Sequence, residues 1–428
     1  MEKKARIKLL IALLVMLCIP MSVQAAAGSK AKGAQLPSYS TVIERVVTPQ
    51  DDFDKVFGDY LKEAESNADR NTQYKLIIQP GTYSINKSIY LPSNVWIYAK
   101  GAVLYKRSGT AVLRFRQENN KSYENIIIEG GSWDVTKQPA EEASNSSLAM
   151  FAHVKNLLVK DVTFKSNRYA HILEIGDAQA VTVTGCTFTG NTLYRGSRDV
   201  QPKEAFQMDV ATATAMGDCL PYNGKGCHNI LIENNNFVKV ARGLGSHSYA
   251  DKGAEASPYT DITVNNNKFK NLEAEGIFFL QWKNCTISNN KITRAKRAGI
   301  YSQSSKNLKI TGNTISNTKA FSGERRNYYG KESNGIFMLK TSKSVLSKNN
   351  ISKVATAGIR LIDKSVSNKI EKNTLSGSKS APAISVNTRS IKNTIQGNTL
   401  KKSKKGAKVV DLDVLSQKNK TKKNKRRS

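Results

Sequence analysis

The chain repeats itself, and the repeat restricts the fold more than any other feature. ILIENNNF, ITVNNNKF, CTISNNKI, LKITGNTI, SVLSKNNI, NKIEKNTL and NTIQGNTL share one template. It runs apolar, two polar, asparagine, one polar, then Phe, Ile or Leu. The shared residues are Asn235, Asn267, Asn290, Asn313, Asn349, Asn373 and Asn398, at spacings of 32, 23, 23, 36, 24 and 25. Upstream, LVKDVTF and VTVTGCTF fit at Val162 and Cys186, 24 apart, and IIEGGSW fits loosely at Gly131. Short alternating strands at this period, punctuated by Gly and Asn, predict an all-β right-handed parallel β-helix. One coil cannot bury its apolar side alone, so coils stack and share a core. An Asn at the same turn of each coil is expected to take the left-handed conformation and to bond its equivalents above and below. A leucine-rich repeat is the competing solenoid, but it needs a Leu-rich helical segment per repeat, and none is visible.

About ten coils are expected between Tyr74 and Leu400. DDFDKVFGDYLKEAE, within residues 48–71, reads as a short amphipathic capping helix. The domain is therefore placed at 48–400, after a linker at 26–47. Residues 1–25 read as an export signal: a cationic MEKKARIK, an apolar LLIALLVMLCIPM, and a small-residue cleavage site at Val23-Gln24-Ala25. A membrane anchor is the alternative, yet the apolar run falls short of the roughly 20 residues a span requires. The mature chain is expected to be secreted and monomeric, with a charge suited to association with a cell wall and no membrane contact.

That charge is strong, at net +32. Residues 401–428 carry 12 Lys or Arg against 2 Asp and read as a disordered basic tail. For an exported chain the expected partners are anionic polymers of a cell wall or uronic-acid and sulfated glycans, rather than nucleic acid. Cys219 and Cys227 lie in one long loop and are candidates for a disulfide. Cys186 and Cys285 read as buried small residues. No His/Cys spacing suggests a metal site.

A second strand recurs ten or eleven residues before most template strands: ILEIGD, AFQMDV, GLGSHS, GIFFLQ, GIYSQS, GIFMLK, GIRLID and AISVNT. Its second and mostly its fourth positions are apolar and face inward. By alternation the third and fifth face outward. The third-position row is Glu174, Gln207, Gly245, Phe278, Tyr301, Phe337, Arg360 and Ser385. The fifth-position row brings Asp209 beside His247, across about 4.8 Å between coils. Glu174 lies one coil back, about 8 Å away between backbones, within the separation of about 6.5–9.5 Å that suits an inverting glycosidase. Asp209, His247 and Glu174 are the candidate catalytic groups. Gln207, Arg242, Phe278, Tyr301, Phe337 and Arg360 are candidate substrate contacts, the aromatics for stacking sugar rings and the arginines for an anionic group. Long insertions at 190–203, 211–227, 249–260 and 316–334 surround this face like walls of a cleft.

On its coil architecture the chain resembles the pectate-lyase-like right-handed β-helix superfamily, which includes polygalacturonases and polysaccharide lyases. The resemblance implies an extended polysaccharide bound in a groove along this sheet. The catalytic motifs depart from the family. Glu204-Ala205-Phe206 stands where N-T-D is expected, and there is no D-D pair. Gly245-Ser246-His247-Ser248 is only loosely G-H-G, and Gly358-Ile359-Arg360-Leu361 matches R-I-K in its Ile and Arg alone. The expectation is a secreted carbohydrate-active enzyme on an anionic polysaccharide, a hydrolase slightly ahead of a lyase. It needs no cofactor beyond a Ca2+ in the lyase case. The alternative is a non-catalytic polysaccharide- or wall-binding β-helix protein.

Overall fold

The computed structural model describes residues 30–67, 69–106, 111–114, 123–137, 146–192, 202–217, 219–246, 253–320, 332–376, 382–401 and 408–427. The signal segment 1–25 and His247 lie outside the described residues. The chain winds as a solenoid of three parallel sheets. The first runs from Thr41–Val47 to Lys420–Lys422, the second from Gly81–Ile85 to Lys425–Arg427, and the third from Ile89–Tyr90 to Val410–Leu412. Template strands supply the first two sheets. The GIFFLQ-type strands supply the third.

The asparagines of the template line the corner between the first and second sheets, each at most 1% exposed. Asn267 shows the pattern. Its Nδ2 donates to Ile232 O and to Asn290 Oδ1, both at 3.0 Å. Its Oδ1 accepts from the Asn235 amide at 2.9 Å and from Asn235 Nδ2 at 3.0 Å. The same rung repeats through Asn313, Asn349, Asn373 and Asn398. The expected conformation needs one correction. The left-handed residue is the one before each ladder asparagine: Asn234, Asn266, Asn289, Gly312, Lys348, Lys372, Gly397 and Lys423. That residue turns the backbone so that the next side chain points inward to its neighbours.

The core is stacked as regularly. Phe164, Phe188, Phe237 and Phe269 occupy one register position, with successive ring centroids 5.3, 4.8 and 4.6 Å apart. Ile292, Ile315, Ile351, Leu375 and Leu400 continue the column. Gly276 stands where two coils approach closely; a Cβ there would lie 2.7 Å from both Gly299 O and Ile292 Cγ2. The helix α1 (Phe53–Ser66) starts on Asp52, whose side chain accepts from the Lys55 amide. Phe53, Phe57, Tyr60, Leu61 and Ala64 are buried on the first coils.

Both expected boundaries are corrected. Thr41–Val47, assigned to a linker, is a strand in register with Thr72–Ile78. The tail is not wholly disordered, because Asn419 and Asn424 extend the ladders by accepting from the Asn393 and Asn398 amides at 2.8 and 3.0 Å. They carry Lys420–Lys422 and Lys425–Arg427 into the first and second sheets. Thr421 and Arg426 face Ile395 and Leu400, so this coil puts polar residues at core positions. A template that looks for apolar residues at those positions passes over it.

Asn290→Ala should strand the bonds of Asn267 on one side and Asn313 on the other. A loss of about 2–4 kcal/mol is expected from leaving buried partners unmade, read as a lower urea midpoint with an unchanged m-value.

Candidate functional site

The outward row of the third sheet is in the expected register. Glu174 pairs with Gln207, Gln207 with Gly245, Gly245 with Phe278 and Phe278 with Tyr301. Phe337, Arg360 and Ser385 follow. Asp209 pairs with Gly176, one coil from Glu174 and two residues along. Met208 pairs with Ser246, the register that was expected to bring His247 opposite Asp209.

The row is not an open groove. Gln207, Asp209 and Phe337 are fully buried, Tyr301 is 1% exposed, and Glu174 and Arg242 are 6% and 7% exposed. Phe278 and Arg360 are half-buried. Side chains that point outward here pack on one another. Tyr301 lies 4.9 Å from both Phe278 and Phe337 between ring centroids. With Ala298, Leu339 and Ile362 they form a second small core outside the sheet. The aromatic stripe therefore holds the wall together in this state and offers no bare platform for sugar rings.

Nor are the two candidate acids held apart. Asp209 Oδ1 accepts from Gln207 Nε2 at 2.9 Å. The Glu174 side chain is within hydrogen-bonding reach of Asp209, and Ser147 Oγ donates to Glu174. Burial, with the negative charge of Glu204 added, pushes the Asp209 carboxyl up to about 7. Two buried carboxyls in contact cannot both ionise cheaply. They behave as one coupled pair, not as the separated acid and base of an inverting site.

Arg242 is also spoken for. Its Nη1 donates to Glu204 at 2.5 Å and its Nε to Glu275 at 2.9 Å. Arg297 donates to the other oxygen of Glu275. Opposite charges thus alternate up the coils: Glu204, Arg242, Glu275, Arg297. Burial raises the Glu275 carboxyl, but the charges of Arg297 and Arg242 override it and hold it low. The guanidinium carbons of Arg242 and Arg297 lie 4.3 and 5.5 Å from the ring centres of Phe278 and Tyr301. Arg360 donates to Glu332 and sits 6.0 Å from Phe337. Neither Arg242 nor Arg360 is set to hold an external anion. The opposite signs of Arg242 and Glu275, both two residues before an inward Leu or Ile, were the signal for this ladder.

Residues 211–217 and 219–226 fold back over earlier coils. Met216 Sδ would be 2.5 Å from a Cβ at Gly176, beside Asp209. Cys219 O lies 2.9 Å from His153 Nε2, and Asn223 Nδ2 donates to Asp177 at 2.7 Å. His153 Nδ1 meets the same Asp177 oxygen at 2.8 Å. Burial opposes charge on His153, yet its bonds to Asp177 and Cys219 O outweigh this and raise its pKa. Sequence reading missed this clasp because His153 and Asp177 lie in separate coils. The expected disulfide is absent: Cys219 and Cys227 are both free and buried. Cys227 Sγ faces Ile175 O and Asp209 O at 3.6 and 3.5 Å. Burial pushes the Cys219 thiol up to about 12. Among the described residues no three His, Cys, Asp or Glu are arranged to hold a metal ion.

Asp209 keeps a proton that the unfolded chain releases near pH 4, so its contribution to stability falls as pH rises from about 4 to about 7. Asp209→Asn should flatten that decline, measured by urea unfolding across the window. Reducing agent should leave the melting temperature unchanged, since no bond joins Cys219 to Cys227.

Residues 101–315 and 252–420 match the family described as right handed beta helix region. Over 173 residues the chain is 28% identical to plasmin and fibronectin-binding protein A of Streptococcus pneumoniae, covering 36% of this chain and 24% of that protein. The chain therefore spans about a quarter of that relative's length. The crystal structure of PfbA, a surface adhesin of that organism, superposes with a TM-score of 0.68 at 18% identity, covering 83% of this chain and 87% of that one. The mannuronan C-5 epimerase AlgE4 A-module of Azotobacter vinelandii gives 0.57 at 10% identity, covering 91% and 97%. An exopolygalacturonase from Thermotoga maritima gives 0.52 at 13%, covering 90% and 94%. At these identities the structural likenesses establish the fold alone. The chain belongs to the right-handed β-helix family.

Proposed function

We propose that the protein is a surface-associated or secreted binding protein that holds an extended anionic polymer along the basic C-terminal coils. One observation carries the reading: lysines recur at equivalent corners of successive coils. Lys348, Lys372 and Lys423 occupy one left-handed corner of the first sheet, with Gly397 between the last two. Lys343, Lys392 and Lys418 occupy the opposite corner. All six are exposed. The strands between these corners are three residues long and add Lys369, Lys420 and Lys422. Glu371 answers Lys369 at 2.9 Å. The first sheet is here a shallow strip edged by cations at multiples of about 4.8 Å. A linear polyanion laid along the solenoid axis meets positive charge on both sides, an arrangement that favours association and depends on salt. The sealed state of Glu174, Asp209 and Arg242 supports binding over cleavage, as does the likeness to an adhesin.

Lys348, Lys372 and Lys423 changed together to Gln should weaken binding to polygalacturonate about tenfold or more at low salt, and flatten its salt dependence. Binding that is unchanged, or equal on neutral dextran, would sink the proposal. A second reading, a polysaccharide hydrolase or lyase, draws on the Glu174–Asp209 pair beside an aromatic row. It requires the wall over them to open. Chain shortening of uronic-acid polymers, with or without unsaturated ends, that vanishes in Asp209→Asn would favour it.

A further inference from the structure

On the N-terminal coils the outer face of the first sheet is covered by another part of the chain itself. Residues 31–35 cross the sheet at right angles to its strands. The Ala31 amide donates to Thr263 Oγ1 at 2.8 Å, and the Lys32 and Gly33 amides to Asn229 Oδ1 at 2.7 and 3.1 Å. The Ala34 amide donates to Thr182 Oγ1 at 2.9 Å and the Gln35 amide to Asn156 Oδ1 at 3.3 Å. Asn229 Nδ2 also donates back to Gly33 O at 3.4 Å. Further along, Tyr39 Oη donates to Asn94 Oδ1 at 3.1 Å.

The geometry explains the choice of groups. A segment that runs across strands cannot join their ladder, so its amides need side-chain acceptors. Asn94, Asn156 and Asn229 stand in one corner column, all with positive φ, which aims their side chains outward. Thr182 and Thr263 stand in the next row of the sheet, two coils apart. At about 4.8 Å per coil and about 3.3 Å per extended residue, the two spacings keep step over the length of the segment. Every amide from Ala31 to Gln35 donates to a side-chain oxygen of the sheet. Lys32 and Gln35 point to solvent, while Ala31 and Gly33 are buried against the sheet. The site therefore reads an extended backbone and excludes bulk. Gly33 has φ +71, and a Cβ there would lie 2.1 Å from Thr182 Oγ1 and 3.0 Å from Leu231 Cβ.

We infer that the Asn156–Asn229 corner with Thr182 and Thr263 is a peptide-binding track for extended small-residue segments. Residues 30–35 are its tethered occupant, and the same segment of a second copy is the partner that fits it in trans. The tether holds the occupant at an effective concentration of order millimolar, so the track in the wild-type chain is closed to outside peptide. This rests on contacts separate from the lysine strip and does not depend on polymer binding.

Gly33→Val in the full chain removes the occupant without touching the track. A labelled peptide of residues 30–39 should then bind the Gly33→Val protein and not the wild type, with at least a tenfold difference in apparent Kd. Adding Asn229→Ala to Gly33→Val should abolish the binding. Equal binding to both proteins, or none to a folded Gly33→Val chain, would overturn the inference. Should Gly33→Val not fold, hydrogen exchange of the full chain decides. The amides of residues 31–35 should exchange at least tenfold faster in Thr182→Val with Asn229→Ala than in wild type, while the Asn290 and Asn313 amides stay protected. Unchanged exchange at residues 31–35 would equally overturn it.

Discussion

The coil-to-coil hydrogen bond is the interaction on which everything else rests. A solenoid has no single central core to close on; each coil is held by the two beside it. In this chain the backbone ladders of three sheets are reinforced by the buried asparagine column from Asn235 to Asn398. An asparagine buried without partners would cost more than most apolar contacts return. Paired above and below, it instead locks the register of both neighbours. That lock is why a charge ladder such as Glu204, Arg242, Glu275 and Arg297 can be assembled from residues up to 93 positions apart.

Much of this was legible in the sequence, for a definite reason. The template assigns each residue a coil, and alternation assigns it a side. These two facts were enough to place Glu174, Gln207, Phe278, Tyr301, Phe337 and Arg360 in one row, in the register observed. They were not enough to say whether the outward side meets solvent. Tyr301 and Phe337 point away from the main core and are buried all the same, because neighbours in the row pack together. Alternation is a statement about direction. Exposure depends on everything else that lies in that direction.

The other misses follow the same logic. The Cys219–Cys227 spacing allowed a bridge, but spacing carries no information on where Sγ atoms point, and Cys227 opens a strand with its thiol turned inward. The final coil was hidden by Thr421 and Arg426 at positions where the template demands apolar residues. The segment before Thr41 looked like a linker because its order comes from side chains more than a hundred residues away. Nothing local marks it except its run of small residues.

The polar residues of the coil at 419–427 have a consequence for how two copies of the chain meet. A parallel sheet that simply stops leaves a row of open amides and carbonyls, an invitation to dock onto the next solenoid. Lys420, Lys422, Lys425, Arg426 and Arg427 crowd the last described strands. Two such coils brought together would repel over the range of a Debye length. Cations gathered on these strands therefore oppose the approach of the same strands of a second copy, and oppose it less as salt rises.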